Sequence, residues 1–303
     1  MVQSLPFLHM TAFSTHIAGG NPAAVVFLTP EQNSLITDDT RQVIGANWYQ
    51  PMTALVAPRP IPEGLGQDNV RAFDVKYYTA NIEIGLCGHA TLCAASALFD
   101  HPTLTTPTTT VLEFHAKNGR IVARKLEDGL VEIELPVGRH EPLAAEDPRA
   151  VALRAALARA LGPDVKVNFM GAGLAHLEIY CLIEIETDDL RNLKVKVGEL
   201  IDSPFTAHVL TMPSRDPSVA FISRMFAPAA MIPEDHVCGT AHSMMTPYWA
   251  VKAGLKDQLA SDGVRAIQVS PRGGELKVWL DEQKGVVKLA GPVATISTGE
   301  LYV

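Results

Sequence analysis

Apolar and polar residues alternate along much of the chain, and this period of two predicts a protein that is rich in β-strands. The clearest stretch is 112–135, where the turn dipeptides Asn118-Gly119 and Asp128-Gly129 separate three alternating segments. We expect these segments, 112–117, 120–126 and 130–135, to form antiparallel strands. The other predicted strands are 24–28, 53–57, 75–78, 174–185, 206–212, 219–226, 265–270, 275–281, 286–289 and 294–297.

Apolar residues at helical spacing occur in only a few segments. A helix is predicted over 38–47, opened by capping aspartates, and another over 148–161, with Pro148 at its start and Gly162-Pro163 behind it. Further helices are predicted over 188–201 and over 239–252, the latter closed by Gly254. The pattern therefore predicts an α/β chain of the α+β kind, with few helices among mostly antiparallel strands.

Composition and charge narrow the function classes. The chain has 303 residues, of which 47% are apolar and 19% charged, enough for one large domain or two smaller ones. A net charge of −8 and the lack of a dense Lys and Arg cluster argue against nucleic acid as a partner. No apolar run approaches the roughly 20 residues that span a bilayer, and residues 1–13 lack the basic start of a secretory signal, so we expect no membrane partner.

The four cysteines, Cys87, Cys93, Cys181 and Cys238, show neither a disulfide framework nor a CxxC metal pattern. We therefore expect a reducing, cytoplasmic setting and no metal site. Cys93 and Cys181 lie in apolar segments and are expected to be buried core residues. A cysteine beside a helix is also structural more often than not, so a role for Cys87 or Cys238 needs further support.

That support comes from an internal repeat. Residues 83–90, Glu-Ile-Gly-Leu-Cys-Gly-His-Ala, are echoed 151 residues later by residues 234–241, Glu-Asp-His-Val-Cys-Gly-Thr-Ala. A basic-x-aromatic strand end precedes each segment, at 76–78 and at 224–226, and an apolar helix follows each. The echo predicts a duplication into an N-terminal lobe, 1–137, with strand 290–303 as a candidate addition, and a C-terminal lobe, 138–289.

The residue types in the repeated unit point to acid–base chemistry. The glycine after each cysteine, Gly88 or Gly239, allows close approach of a ligand, and the N–H groups of the first helical turn attract a carboxylate. A helix N-terminus also lowers the pKa of a thiol. Two thiols on opposite sides of one carbon could remove a proton from one face and return it to the other. This predicts racemisation or epimerisation without a cofactor, with the sulfur atoms of Cys87 and Cys238 about 6 to 8 Å apart in a closed form.

Five ordered motifs give the chain a resemblance to the PhzF-like (phenazine biosynthesis) isomerases of the diaminopimelate epimerase fold superfamily. They are 20–26 (GNPAAVV), 86–92 (LCGHATL), 226–242 (FAPAAMIPEDHVCGTAH), 270–276 (SPRGGEL) and 289–292 (LAGP). The resemblance implies a diaminopimelate epimerase-like fold of two pseudo-symmetric lobes, each with a curled, mostly antiparallel sheet around a central helix. It also implies a homodimer that needs no cofactor and acts on a small-molecule carboxylate or carbonyl substrate.

The resemblance also implies a set of substrate-binding residues. His89, Asp235 and Thr240 match family positions that bind or orient the substrate, and Arg272 is a candidate positive partner for a carboxylate. The full expected set is Asn21, Gln50, Gly88, His89, Asp235, Gly239, Thr240 and Arg272. His242, one turn into the second helix, is expected to be structural.

Two positions depart from the family pattern. Gln50 stands where family members carry a catalytic glutamate, and an amide cannot exchange a proton as a carboxylate does. Cys238 stands where they usually carry threonine, so the pair of cysteines is more similar to the two-cysteine epimerases and proline racemases of the same fold.

Three hypotheses follow from these residues. Cys87 and Cys238 form an acid/base pair of an isomerase, or one of them is a nucleophile that adds to a conjugated alkene, allows rotation and leaves. The third hypothesis is a non-catalytic protein, derived from the same family, that binds a small acidic metabolite.

Overall fold

The first of two units in the chain contains both ends of the sequence. A computed structural model describes residues 4–60, 69–163 and 165–303. Unit 1 comprises Met1–Leu135 and Leu289–Val303, and unit 2 comprises Pro136–Lys288. The Pro and Gly content of residues 59–69 predicts an irregular loop, and residues 61–68 of it lie outside the described part. None of the described helices is both long and apolar enough to cross a bilayer.

Strands outnumber helices, as the alternating pattern predicts. The strands are β1 (Ser4–Ala12), β2 (Asn21–Phe27), β3 (Thr53–Arg59), β4 (Val70–Tyr78), β5 (Glu83–Ile84), β6 (Val111–Ala116), β7 (Gly119–Lys125), β8 (Val131–Pro136), β9 (His140–Pro142), β10 (Lys166–Gly173), β11 (Tyr180–Glu186), β12 (Ala207–Pro213), β13 (Phe221–Ala227), β14 (Ile232–Asp235), β15 (Val264–Gln268), β16 (Gly274–Asp281), β17 (Val286–Gly291) and β18 (Val293–Tyr302). The α-helices are α1 (Pro30–Leu35), α2 (Asp38–Trp48), α3 (Gly88–Phe99), α4 (Pro148–Leu161), α5 (Gly239–Lys252) and α6 (Lys256–Ala260).

In unit 1 a mostly antiparallel sheet lies between helices. The strand order is β18, β1, β2, β3, β4, β6, β7, β8, and only the β2–β3 and β4–β6 pairs are parallel. Helix α3 is the central helix, since every residue in it except Ser96 is buried. Successive residues of β4 face opposite sides: Tyr78 packs in the cluster with Ile44 of α2, and Tyr77 hydrogen-bonds to Thr91 of α3.

Unit 2 repeats this plan. Its strand order is β9, β10, β11, β12, β13, β15, β16, with parallel pairs only at β11–β12 and β13–β15. Helix α4 packs on one face through Leu153 and Leu157, in a core cluster with Ile183 of β11. The neighbouring residue Glu184 faces the other way and accepts a hydrogen bond from Tyr248 of the largely buried helix α5.

The two units share one connectivity around the repeated octapeptides. In both, an antiparallel hairpin, β4–β5 or β13–β14, leads to a cysteine, the central helix and a strand parallel to the first hairpin strand. Registers agree as well: Tyr77 pairs with Ile84, and the corresponding Met225 pairs with Asp235. The two similar octapeptides therefore lie in two similarly folded segments.

Three local predictions are wrong. Helix α2 is capped by Thr37, whose side chain accepts from Thr40 N–H, and the aspartates stand in its first turn. The strand expected over 174–185 starts only at Tyr180, because the chain turns back after Gly173 through the short 3₁₀ turn Ala175–Leu177. The sequence pattern also does not predict strands β1, β5, β9, β10 and β14 or helices α1 and α6.

The helix expected over 188–201 is absent, and only the 3₁₀ turn Val197–Leu200 forms there. Two carbonyl groups that a helix would use internally, those of Leu190 and Leu193, accept hydrogen bonds from Arg224 of β13. The Asp189 side chain accepts from the N–H of Asn192. A contact between distant segments thus replaces the helical hydrogen bonds, and no local pattern encodes it.

Candidate active site

Cys87 is the N-cap residue of α3, with extended backbone angles of φ −142° and ψ 114°. Its side chain is buried, and its Sγ lies 3.4 Å from Nδ1 of His89. The same ring nitrogen lies 3.3 Å from the amide Nδ2 of Asn21, the first residue of β2. Because an amide NH₂ group only donates, Nδ1 of His89 is an acceptor, and the neutral ring carries its proton on Nε2. A basic nitrogen therefore faces the Cys87 thiol.

The backbone of Cys87 is held by a chain of buried hydroxyl groups. Thr91, one turn along α3, donates from Oγ1 to the Cys87 carbonyl at 2.6 Å, and the Tyr77 hydroxyl lies 2.5 Å from the same Oγ1. Burial raises the pKa of Tyr77 well above its usual value, so this hydroxyl stays protonated and donates. The position of the thiol is thus tied to β4.

Cys238 has the same place in unit 2, as the buried N-cap residue of α5. Its surroundings differ, because its Sγ accepts a hydrogen bond from the backbone N–H of Ala241 at 3.3 Å. Hydrogen bonds from N–H groups and the positive end of a helix both favour a thiolate. Both thiols stand at a helix N-terminus, but their contacts differ: Cys87 lies beside an imidazole, and Cys238 accepts from a backbone N–H.

Two buried side chains hold the Cys238 backbone. The Gln268 Oε1 accepts from the Cys238 N–H at 2.9 Å, and the Gln268 Nε2 donates to the Asp235 carbonyl at 2.6 Å. On the other side, Nδ1 of His242 lies 2.8 Å from the Cys238 carbonyl. Burial lowers the pKa of His242 to about 4, so the ring is neutral near pH 7 and Nδ1–H donates.

Arg272 lies in a turn that is tied to the same loop. Ser270 donates from Oγ to the carbonyl of His236, and Oγ in turn accepts from the N–H of Gly273, where φ is +64°. Arg272 is half-buried, and burial lowers its pKa. Burial and, secondly, the charge of Arg272 lower the pKa of His236. The arginine therefore adds positive charge beside the Asp235–Cys238 loop.

The remaining predicted residues lie at element ends. Gly88 and Gly239 are the buried first residues of the central helices, and Thr240, partly buried, follows in α5. Gln50 is half-buried in the turn between α2 and β3, directly after Tyr49, which has a left-handed φ of +50°. Within unit 1, contacts join Asn21, His89 and Cys87; within unit 2, contacts join Asp235 and Cys238 through Gln268.

The glutamates of the two octapeptides form ion pairs. Glu234 binds Arg224 through two hydrogen bonds of 2.7 and 2.8 Å, and both side chains are largely buried. Glu83 pairs with Lys117 at 3.2 Å, where the lysine is exposed. Both pairs fix the hairpin strand that precedes a cysteine, which gives the repeated glutamates a structural role.

The residues that the sequence analysis missed are Gln268, Ser270, Thr91 and Tyr77. Gln268 had a usable signal, because it falls on the buried face of a strand whose other buried positions are Val264 and Ala266. Thr91 stands four residues after Cys87 on the helix, but its partner Tyr77 comes from a distant strand.

Cys93 and Cys181 are fully buried, as predicted, and burial raises the pKa of both thiols. Within the described ranges, no three His, Cys, Asp or Glu side chains are grouped to hold a metal ion.

Residues 10–299 match the family described as phenazine biosynthesis-like protein. An uncharacterized isomerase of Pseudomonas aeruginosa is 31% identical over 301 residues, which cover 98% of each chain. A PhzF-family phenazine biosynthesis protein of Enterococcus faecalis superposes with a TM-score of 0.78 at 24% identity, over 99% of this chain and 100% of that one.

A hydroxyproline epimerase from Agrobacterium vitis, solved with bound trans-4-hydroxy-L-proline, has the same fold. The TM-score is 0.59 at 13% identity, over 99% of this chain and 91% of that one. These likenesses confirm the predicted diaminopimelate epimerase-like fold. The isomerase class is also confirmed, since curated relatives carry that name. The match over nearly its whole length shows that this chain belongs to the phenazine biosynthesis-like protein family.

Proposed function

We propose that the protein is a cofactor-independent isomerase of a small acidic metabolite, in which Cys87 and Cys238 exchange protons with a carbon next to a carboxyl or carbonyl group. The observation that carries this proposal is that the two cysteines are N-cap residues of the buried central helices, at corresponding places in a repeated fold. Buried thiols at helix N-termini suit proton transfer, because the helix favours the thiolate and burial excludes water.

The different partners of the thiols suggest how the roles divide. The Cys238 thiolate, held by the Ala241 N–H, takes the proton from carbon. The electron pair left on that carbon is delocalised into the adjacent carboxyl or carbonyl group. The Cys87 thiol, whose proton is shared with the adjacent His89, gives that proton to the opposite face and leaves a thiolate beside the neutral imidazole. The reverse reaction starts from the exchanged protonation states.

Substrate binding is assigned by charge and donor geometry. A carboxylate would accept from the N–H groups at the start of α3 or α5, where Gly88 and Gly239 leave room for close approach. Arg272 supplies the positive charge that an acidic ligand needs in a chain of net charge −8. We assign Asn21, Gln50, Asp235 and Thr240 to orienting the remainder of the substrate, as the family pattern implies.

The test is proton exchange in heavy water with a set of small amino, hydroxy and unsaturated carboxylic acids that includes trans-4-hydroxy-L-proline. Proton NMR should show deuterium entering the carbon next to the carboxyl group. Cys87→Ala and Cys238→Ala should each lower inversion at least about 100-fold, whereas the control Cys93→Ala, a core cysteine, should retain it. Normal inversion in both cysteine variants would contradict the acid/base pair.

Gln50 favours a second candidate, a protein that only binds its ligand, because glutamine cannot replace the family's catalytic carboxylate. The two candidates differ in thiol reactivity. Thiol pKa values near the ordinary ~8.5 for both cysteines would favour binding alone, and a depressed value for one of them favours catalysis. If one cysteine instead acts as a nucleophile that adds to a conjugated alkene, isomerisation proceeds and no solvent deuterium enters the product.

A further inference from the structure

Gln268 is a polar side chain in an apolar position. It is the last residue of β15, it is fully buried, and it lies on the same strand face as the buried Val264 and Ala266. A buried amide without hydrogen-bond partners lowers the stability of the fold. The partners of the Gln268 amide therefore identify the groups that it positions. Both of its polar atoms bind the backbone of one loop, Oε1 at the Cys238 N–H and Nε2 at the Asp235 carbonyl.

We propose that Gln268 is a positioning residue that sets the thiolate character of Cys238 through the backbone. The catalytic meaning of this assignment rests on the proposed function, but the assignment itself concerns the thiol alone. Gln268 touches the backbone of Cys238 and not its sulfur. Its effect therefore passes through the orientation of the N-cap residue.

The geometry explains how a distant amide acts on the sulfur. An N-cap side chain reaches the N–H of the third helical residue only when the cap backbone is extended, and Cys238 meets this condition with φ −100° and ψ 104°. Gln268 fixes one end of this peptide, and His242 fixes the other by donating to the Cys238 carbonyl. Sγ then stays 3.3 Å from the Ala241 N–H, a bond that favours the thiolate.

A second tie keeps the same loop in place. Ser270, two residues after Gln268, donates to the carbonyl of His236. The segment 268–270 thus binds the loop 235–238 at three backbone groups, whereas the Cys87 backbone is held by Thr91 from within its own helix. The corresponding loop of unit 1 also has a tie from a neighbouring hairpin, from the Asn118 N–H to the Gly85 carbonyl.

The experiment is iodoacetamide alkylation of the full-length protein between pH 5 and pH 10, with Cys87 and Cys238 followed separately by peptide mass spectrometry. Gln268→Met removes both amide hydrogen bonds at similar volume. We expect the midpoint of the Cys238 profile to rise by about one pH unit, which corresponds to the loss of one hydrogen bond to a charged group. The Cys87 midpoint should stay unchanged and serves as the internal reference.

Thr211→Val is the matched control. Thr211 is also fully buried in unit 2, donates to the Ile222 carbonyl and accepts from Trp249, but contacts no part of the 235–238 loop through these bonds. It should lower stability without moving the Cys238 midpoint. The titratable groups on the segments around the thiol, Asp235, His236, His242 and Arg272, are unaltered in both variants.

An equal Cys238 midpoint in Gln268→Met, Thr211→Val and the parent protein would overturn the proposal. A higher overall alkylation rate with the same midpoint would also overturn it, since that result means greater access and no change in the thiolate. If Gln268→Met does not fold, Gln268→Asn takes its place, because the shorter amide cannot span both backbone groups. Failure of the deuterium exchange test would leave this measurement unaffected, so the two proposals fail separately.

Discussion

Sγ of Cys87 lies 3.4 Å from Nδ1 of His89, whereas Sγ of Cys238 accepts a hydrogen bond from the Ala241 N–H. A repeated fold thus places two thiols at corresponding helix ends and gives them different partners. An imidazole can take up the thiol proton, whereas a backbone N–H can only stabilise a thiolate already formed. This asymmetry suits the proposed pair, in which one thiol donates a proton and the other accepts one.

His89→Asn should impair Cys87 specifically. Without the imidazole, the Cys87 thiol loses the group that shares its proton, so its thiolate fraction falls. Alkylation of Cys87 at pH 7 should drop about tenfold and isomerisation about 10 to 100-fold. The Cys238 alkylation rate should not change. His16→Asn, at an exposed histidine of the same unit, is the control. Equal Cys87 rates in the two variants would show that His89 does not act on the thiol.

Gly20, which precedes Asn21, should tolerate no side chain. Its φ is +66°, and an added Cβ would lie 2.2 Å from the Ala12 carbonyl oxygen. Gly129 has a φ of +84°, and a Cβ added there would have no atom within 4 Å. Gly129→Ala therefore measures the cost of the left-handed backbone alone. We expect Gly129→Ala to cost about 1 kcal/mol and Gly20→Ala about 3 kcal/mol in urea unfolding. Equal losses would show that the close approach is relieved without cost.

Local patterns sufficed wherever neighbouring residues decide the structure. Helix α4 has the predicted bounds because Pro148 starts it and Gly162 ends it, and α5 has the predicted bounds because Cys238-Gly239 opens it and Gly254 follows it. Cys87 and Cys238 can be predicted as site residues because the octapeptide around each of them is repeated. The helix predicted over 188–201 does not form, because Arg224, which is distant in the chain, donates hydrogen bonds to carbonyl groups of this segment. Gln268 was missed for the same reason, since its partners are 30 or more residues away in the chain.

The two octapeptide glutamates should differ in their effect on stability. Glu234→Gln breaks a buried, doubly hydrogen-bonded pair and leaves the Arg224 charge uncompensated, which costs about 3 kcal/mol. Glu83→Gln breaks a pair with an exposed lysine and should cost less than about 1 kcal/mol. Urea unfolding at low and high salt measures both. Losses of similar size would contradict the structural difference between the pairs.

Stability should fall in mildly acidic solution. Burial lowers the pKa of His242 and of His208 to about 4, whereas the unfolded chain binds these protons near 6.5. A lowered histidine pKa contributes stability that is complete above pH 6.5 and is lost as the pH falls towards 4. Each histidine should contribute a slope of about 1.4 kcal/mol per pH unit in this window.

Chemical unfolding at pH 7, 6 and 5 measures that slope. His208→Gln should reduce it by about the share of one histidine. The ion pairs of Asp38 contribute to stability in a different pH range. Hydrogen bonds from Lys76 and Arg41 lower the pKa of Asp38 to about 2, so the stability that these pairs contribute is lost only below pH 3.8. A stability that stays constant between pH 7 and pH 5 would contradict the burial of neutral histidines.

A crystal structure with a substrate or planar carboxylate analogue bound would give the distance between the sulfur atoms of Cys87 and Cys238, which decides whether the two thiols can act on one carbon. Two thiols that serve opposite faces of one carbon must each approach it within about 3 to 4 Å. Paired acid–base catalysis by the two thiols predicts a separation of about 6 to 8 Å with the reacting carbon between the sulfur atoms. A separation above about 12 Å in the liganded protein, with packed side chains between the thiols, would contradict it.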